Sequence, residues 1–132
     1  MTIPTLRVAR PTDNLPALLR FYCDGLGLHQ LASFTAHNGF DGMMLGHPQA
    51  PYHLEFTHQP GHTVGRAPTA DNLLVLYLPD VREWQAAVQR LANLSSLRHL
   101  ALDNTDGQAM AEHLPILARM PNLESLWLGA MA

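Results

Sequence analysis

The chain contains one cysteine, Cys23, in 132 residues. No disulfide can form within it, so the fold has to be held by its core, and a reducing compartment suits it. Charge is scarce as well: Asp, Glu, Lys and Arg make up only 14%. The eight Lys and Arg residues are scattered and the formal charge is −3, which leaves no basic footprint for nucleic acid. No apolar run approaches the ~18 residues of a membrane span. Met1-Thr2-Ile3-Pro4-Thr5-Leu6-Arg7 lacks the apolar stretch of a signal peptide. These absences set the first expectation: a soluble cytoplasmic protein with no nucleic-acid or membrane partner.

What is present fits a folded domain. Hydrophobic residues make up 47% of the chain, too many for a disordered one. Its length suits one domain, or one and a fragment, burying roughly two-thirds of its unfolded surface. Histidine is abundant. Protonating all eight would carry the formal charge from −3 to +5, so surface behaviour should respond to pH between about 5 and 7.

Along the chain, Leu6 and Val8 alternate with Arg7 in a short strand that Pro11 ends. Thr12-Asp13-Asn14 offers a helix cap, with Pro16 near the first turn. Leu15, Leu18, Leu19 and Tyr22 share one helical face, and Gly25 and Gly27 stop the helix. Leu28 to Ala36 reads as a strand. Asn38-Gly39 and Asp41-Gly42 are turn signals before Met43-Met44-Leu45, and Tyr52 to His58 is a strand with alternating faces. Pro60 to Ala70 reads as a linker. Asn72 to Leu78 is apolar enough for a strand buried on both faces. Asp80 and Glu83 form a capping box for a helix whose inward face is Val81, Trp84, Val88 and Leu91.

Beyond Leu91 the texture changes. Leu91, Leu94, Leu97, Leu100 and Leu102 recur 26 residues later as Leu117, Met120, Leu123, Leu126 and Leu128. That spacing resembles a leucine-rich repeat: a strand at 97–102, a helix interrupted or restarted at Pro115, and a strand at 123–128. Two such units fall short of the roughly three that stand alone, so this end should lean on the rest of the chain or on another chain.

Phe21-Tyr22 followed by Leu26-Gly27-Leu28 opens a series of familiar segments. Phe34 to Leu45, with His37-Asn38-Gly39-Phe40-Asp41-Gly42, continues it, and Tyr52-His53-Leu54-Glu55-Phe56-Thr57 closes it. Over residues 5 to about 92 these segments resemble the vicinal oxygen chelate superfamily, the glyoxalase, bleomycin-resistance and extradiol-dioxygenase group. The resemblance implies an α+β fold of paired βαβββ modules cupped around a metal or a ligand. It divides the chain into a first module at 1–59, a linker at 60–70, the β-α start of a second module at 71–92, and the leucine-rich tail at 93–132. The second module is then incomplete or atypical, with a β-α-β end in place of its remaining strands.

Metal-dependent members pair a His or Gln on the first strand of each module with a Glu on each last strand. Only Glu55 matches such a position. The first strand offers Thr5, Arg7 and Arg10, the second module Asp71 or Asn72, and no motif equates Glu124 with the missing acidic ligand.

The residues themselves give Glu55 and His53 some weight. A carboxylate on an apolar strand is costly to bury unless paired or metal-bound, and His53 shares its face two residues away. Glu55 is the candidate catalytic residue, and Glu55 with His53 the candidate metal ligands. The bland alternative is a paired structural carboxylate beside a hydrogen-bonded histidine. Two donors alone do not hold a first-row divalent metal, which needs three or four. His37 and Asp41 flank a turn and are candidate substrate contacts, or else turn residues satisfied locally. His47, His58 and His62 read as solvated loop residues, and Cys23 as a small packed residue.

Three functions remain open. One is metal-assisted chemistry, with Zn, Ni, Mn or Fe, on a small oxygen-chelating molecule. Another is metal-free binding or sequestration of a small molecule with no cofactor. The third is a hybrid chain whose leucine-rich end serves association. Whether the protein is an enzyme is left undecided, and a homodimer is expected.

Overall fold

The computed structural model describes residues 2–69, 71–72, 74–94, 99–104 and 125–130. The chain divides into two units, Met1–Val75 and Leu76–Ala132.

The first unit has the order strand, helix and three strands that the sequence implies. β1 (Leu6–Pro11) leads to α1 (Leu15–Leu19), and β2 (His29–His37), β3 (Phe40–Gly46) and β4 (Tyr52–His58) follow. They form one sheet in the order β1-β4-β3-β2, with β1 parallel to β4 and the other pairs antiparallel. Passing through α1 and the β2–β3 hairpin brings β4 back beside β1. Bonds from Leu6 N–H to the Pro51 carbonyl (2.7 Å) and from Thr12 N–H to the Thr57 carbonyl (2.8 Å) extend the pairing at both ends.

α1 begins where Asn14 Oδ1 accepts the Ala17 N–H at 3.0 Å, with proline in the first turn where no donor is needed. The chain then widens into a π-helical turn, Arg20–Gly25, in which Leu26 N–H reaches the Phe21 carbonyl at 3.0 Å. Gly27 closes it at φ +81, a conformation that favours glycine. Tyr22 lies on Phe56 in a stacked pair 5.0 Å apart, with Phe21 edge-on to Tyr22.

Met43, Leu45, Leu54 and Phe56 form the buried centre; Val8, Leu15, Leu18, Leu19, Tyr22, Cys23, Leu28 and Leu74 pack against it. Each large apolar side chain buried here contributes about 1.5–3 kcal/mol. Strand alternation sends every second residue of β3 and β4 under α1. The residues between them, Gly42, Met44 and Gly46 on β3 and His53, Glu55 and Thr57 on β4, go to the opposite face.

Four expectations need correction. Asp41-Gly42 is not a turn but lies inside β3. Asn38 and Gly39, at φ +51 and +85, complete the reversal alone, because two positive-φ residues match the strand twist. His58 is no solvated loop residue: it ends β4, and its Nδ1 stands 3.0 Å from the Thr12 carbonyl. Residues 74–79 belong to no strand, and Val75 and Tyr77 are 62% and 74% exposed instead of buried. A strand exists only through its ladder, and among the described residues no neighbour pairs with this segment. Val81, expected to face inward, is 50% exposed, because the first residue of a helix precedes the turn that its buried face covers.

In the second unit, Asp80 Oδ1 caps α2 (Val81–Ala92) by accepting from the N–H groups of Arg82 and Glu83. Ala87, Val88 and Leu91 are its buried residues. β5 (His99–Asn104) and β6 (Ser125–Ala130) pair in parallel, with His99 opposite Ser125 and Asn104 opposite Ala130. Each pair is 26 residues apart, the spacing of the leucine pattern. Glu124 and the helix expected around Pro115 lie outside the described residues.

Candidate functional site

The face of the sheet opposite α1 gathers the charged candidates. Glu55 is fixed there by Leu54 and Phe56 on either side of it, both buried in the core. His53, two residues earlier, shares that face. Arg7 lies on β1 directly across from His53, and Val8 beside it packs into the core.

These three side chains are joined. Arg7 Nη1 lies 2.9 Å from Glu55 Oε2, and Arg7 Nε–H donates to His53 Nε2 at 2.8 Å. One guanidinium therefore spans a carboxylate and an imidazole. An arginine nitrogen can only donate, so His53 Nε2 presents its lone pair, and in the neutral ring the proton sits on Nδ1. Glu55 is 15% exposed and Arg7 50%, so the carboxylate is largely withdrawn from water while its partner reaches into it.

The remaining surface of this face is apolar and tight. Phe34 on β2 lies directly across Gly42, where a Cβ would fall 2.2 Å from its ring. Gly46 packs against Leu31 and His53, and Met44 stands opposite Glu55 in the ladder. The glycines make room for the aromatic ring and the aliphatic chain, and an apolar floor results beside the charged trio.

His37 and Asp41 sit at the β2–β3 turn. Asp41 is three ladder positions from Met44, the residue opposite Glu55, or about 10 Å along the strand. Its Oδ1 accepts the N–H of Ala36 at 2.9 Å and so supports that residue's positive φ of +53. His37 is in edge contact with Phe34, ring centres 5.9 Å apart. The structure thus joins Glu55 and His53 through Arg7, and leaves His37 and Asp41 at one end of the same hairpin.

Two perturbed groups lie on the helix side. Burial pushes the Tyr22 hydroxyl up, slightly opposed by Arg10. Burial also pushes the Cys23 thiol up, with the Asp24 charge adding to it. A third marks the Pro60–Ala70 segment. Asp13 accepts from Val64 N–H and Gly65 N–H, both at 2.8 Å, and these bonds hold its carboxyl below the ordinary value.

Sequence reasoning passed over Arg7, Phe34 and Asp13. Arg7 was legible in principle, since Leu6 and Val8 alternate around it, but the β1–β4 pairing that gives it partners was not. Asp13 reads as one of three capping candidates, and only the fold shows Asn14 in that role.

The donor set does not fit a divalent metal. Among the described residues, no three His, Cys, Asp or Glu side chains are grouped to share one. The two candidates, Glu55 and His53, already face a permanent cation at 2.9 and 2.8 Å. A metal ion placed between them would meet the guanidinium charge at contact distance.

A model of the YycE-like N-terminal domain matches residues 6–57. The uncharacterised protein YycE of Bacillus subtilis (strain 168) is 41% identical over 103 residues, which is 78% of this chain and 70% of that protein. The crystal structure of a YycE protein of unknown function from Bacillus subtilis, described as a candidate glyoxalase/fosfomycin resistance protein, superposes with a TM-score of 0.57 at 46% identity. That match covers 64% of this chain and 62% of the crystallised one, so the chain spans less than two-thirds of that relative. A trypanothione-dependent glyoxalase I of Leishmania major is a remoter likeness, 16% identical with a TM-score of 0.47 over 85% of this chain and 65% of that one. With the βαβββ sheet, the YycE likenesses support the vicinal oxygen chelate resemblance. The chain belongs to the YycE-like family.

Proposed function

We propose that this protein is a glyoxalase/bleomycin-resistance-like protein that binds a small molecule on the face of its four-stranded sheet opposite α1. Arg7, His53 and Glu55 would meet the polar end of the ligand, and Phe34 and Met44 its apolar body. The observation that supports this reading is the joined trio beside the glycines, Met44 and the Phe34 ring on one face of the sheet. Sites for small molecules combine an apolar lining with a few placed polar groups in this way. His37, in edge contact with Phe34, is proposed as a contact at the far end of the hairpin, while Asp41, on the strand face of Met43 and Leu45, is proposed to support the turn. The mode proposed is binding or sequestration; no chemical step is assigned.

A thermal-shift screen of the purified protein against small aromatic and oxygen-rich compounds tests the reading. A hit should be weakened at least tenfold by Phe34→Ala and by Glu55→Gln. Hits insensitive to both substitutions would place the ligand elsewhere and overturn it.

A second reading concerns the tail. The parallel β5–β6 pair at a constant offset of 26 residues favours a repeat-like end that serves association. A homodimer or larger assembly is proposed on that ground. Light scattering of the full chain at micromolar concentration checks it, and a monomer there would count against association.

A further inference from the structure

Arg7 supplies this site with a cation of its own. The guanidinium lies between the two side chains most able to ligate a metal, donating one N–H to each, to His53 Nε2 at 2.8 Å and to Glu55 Oε2 at 2.9 Å. We infer that Arg7 takes the place of a metal ion in the site: it supplies the positive charge between Glu55 and His53, and it stands where the third ligand that a divalent cation needs would have to be.

Three features of the contact carry the inference. One ligating atom of each residue, Glu55 Oε2 and His53 Nε2, is engaged by the same rigid, planar group, and an arginine does not lose its proton to make way. Nε and Nη1 lie on different edges of the guanidinium plane, so the one group reaches a separate acceptor with each. The third is the position of Arg7 itself. It lies on β1 in direct register with His53, so an imidazole in its place would stand beside His53 on the face that carries Glu55. Arg7→His therefore exchanges one fixed cation for an imidazole, a third ligand, and two imidazoles with a carboxylate make a familiar Zn²⁺ set.

The inference uses the same face as the binding proposal but needs no organic ligand, so a metal titration and a compound screen fail independently. Zn²⁺ titrated by calorimetry into wild type, Glu55→Gln, Arg7→His and the double variant Arg7→His/Glu55→Gln tests it. The chain has eight histidines, so stray binding is expected and only the Glu55-dependent part counts. The expected result is no Glu55-dependent site in wild type. Arg7→His should bind one Zn²⁺ at least tenfold more tightly than the double variant, and Co²⁺ should give a tetrahedral absorption band that the double variant lacks. If wild type binds one Zn²⁺ that Glu55→Gln removes, the guanidinium yields to the metal and the inference fails. It fails too if Arg7→His binds no more tightly than the double variant. Should circular dichroism show Arg7→His unfolded, wild type against Glu55→Gln decides alone, and a Glu55-dependent Zn²⁺ site in wild type overturns the inference.

Discussion

Phe34 lies so close over Gly42 that a methyl group there would fall 2.2 Å from the ring's Cζ and 2.6 and 2.8 Å from its Cε atoms. The glycine is needed for space and not for backbone freedom, since its φ is not in the left-handed region. Gly42→Ala should therefore push the ring out and cost about 1–2 kcal/mol in urea unfolding. In a Phe34→Ala background the same methyl should cost close to nothing. Equal costs in both backgrounds would mean that the ring is not what the methyl meets.

Arg7 and Glu55 form an unequal pair, one half-exposed and the other mostly buried. An exposed ion pair contributes little, but a carboxylate left alone at 15% exposure keeps its desolvation cost. Arg7→Ala should destabilise the protein by about 1–3 kcal/mol. Adding Glu55→Gln should recover part of that loss, because a neutral amide is less costly to leave there. Thermal unfolding of the single and double variants measures both steps; a double variant worse than Arg7→Ala would contradict this account.

Asp13 makes stability depend on acid pH in a defined direction. Its carboxyl is lowered from 3.8 chiefly by the Val64 N–H, then by the Gly65 N–H, with the His58 and His62 charges adding less. A depressed acid stabilises the fold fully above its unfolded value and loses that contribution as pH falls through the folded one. Wild type should therefore lose stability on going from pH 5 to below about 3.8 more steeply than Asp13→Asn. Exchange of the Val64 and Gly65 amides should quicken over the same interval. Parallel acid limbs for the two proteins would remove Asp13 from this role.

Cys23 packs against the core, and burial is the larger cause of its raised thiol, ahead of the Asp24 charge. Because the thiolate is the reactive form, labelling with a disulfide reagent at pH 7.5 should run at least tenfold slower than for a free thiol. Unfolding in urea should restore the free rate. Asp24→Asn should change the native rate far less than unfolding does. Rapid labelling of the folded protein would show an accessible, activated cysteine instead.

Much of the first unit was legible because its signals are local. Asn38-Gly39 marks its hairpin, Gly27 its helix end, and the alternation of Tyr52 to His58 its last strand, all from residues within a few positions of each other. Where local signals compete, the reading slipped. Asp41-Gly42 has the composition of a turn, yet a complete turn two residues earlier left it inside β3, where Gly42 serves packing. Asn72 to Leu78 has the composition of a strand, but a ladder needs a neighbour, and composition does not supply one. The π-helical turn at Arg20–Gly25 has no composition of its own to separate it from an α-helix.

The site divides along the same line. By itself the sequence determined that Glu55 and His53 share a face, because strand alternation is a two-residue property, and that the chain carries the marks of its superfamily. Only the tertiary structure decided what that face contains. Arg7 and His53 are 46 positions apart and meet because β4 returns to pair with β1 in one register. A shift of one residue in that register would turn Arg7 away from both partners. A half-site for a metal, as the sequence reads, is in the fold a site already holding a charged side chain.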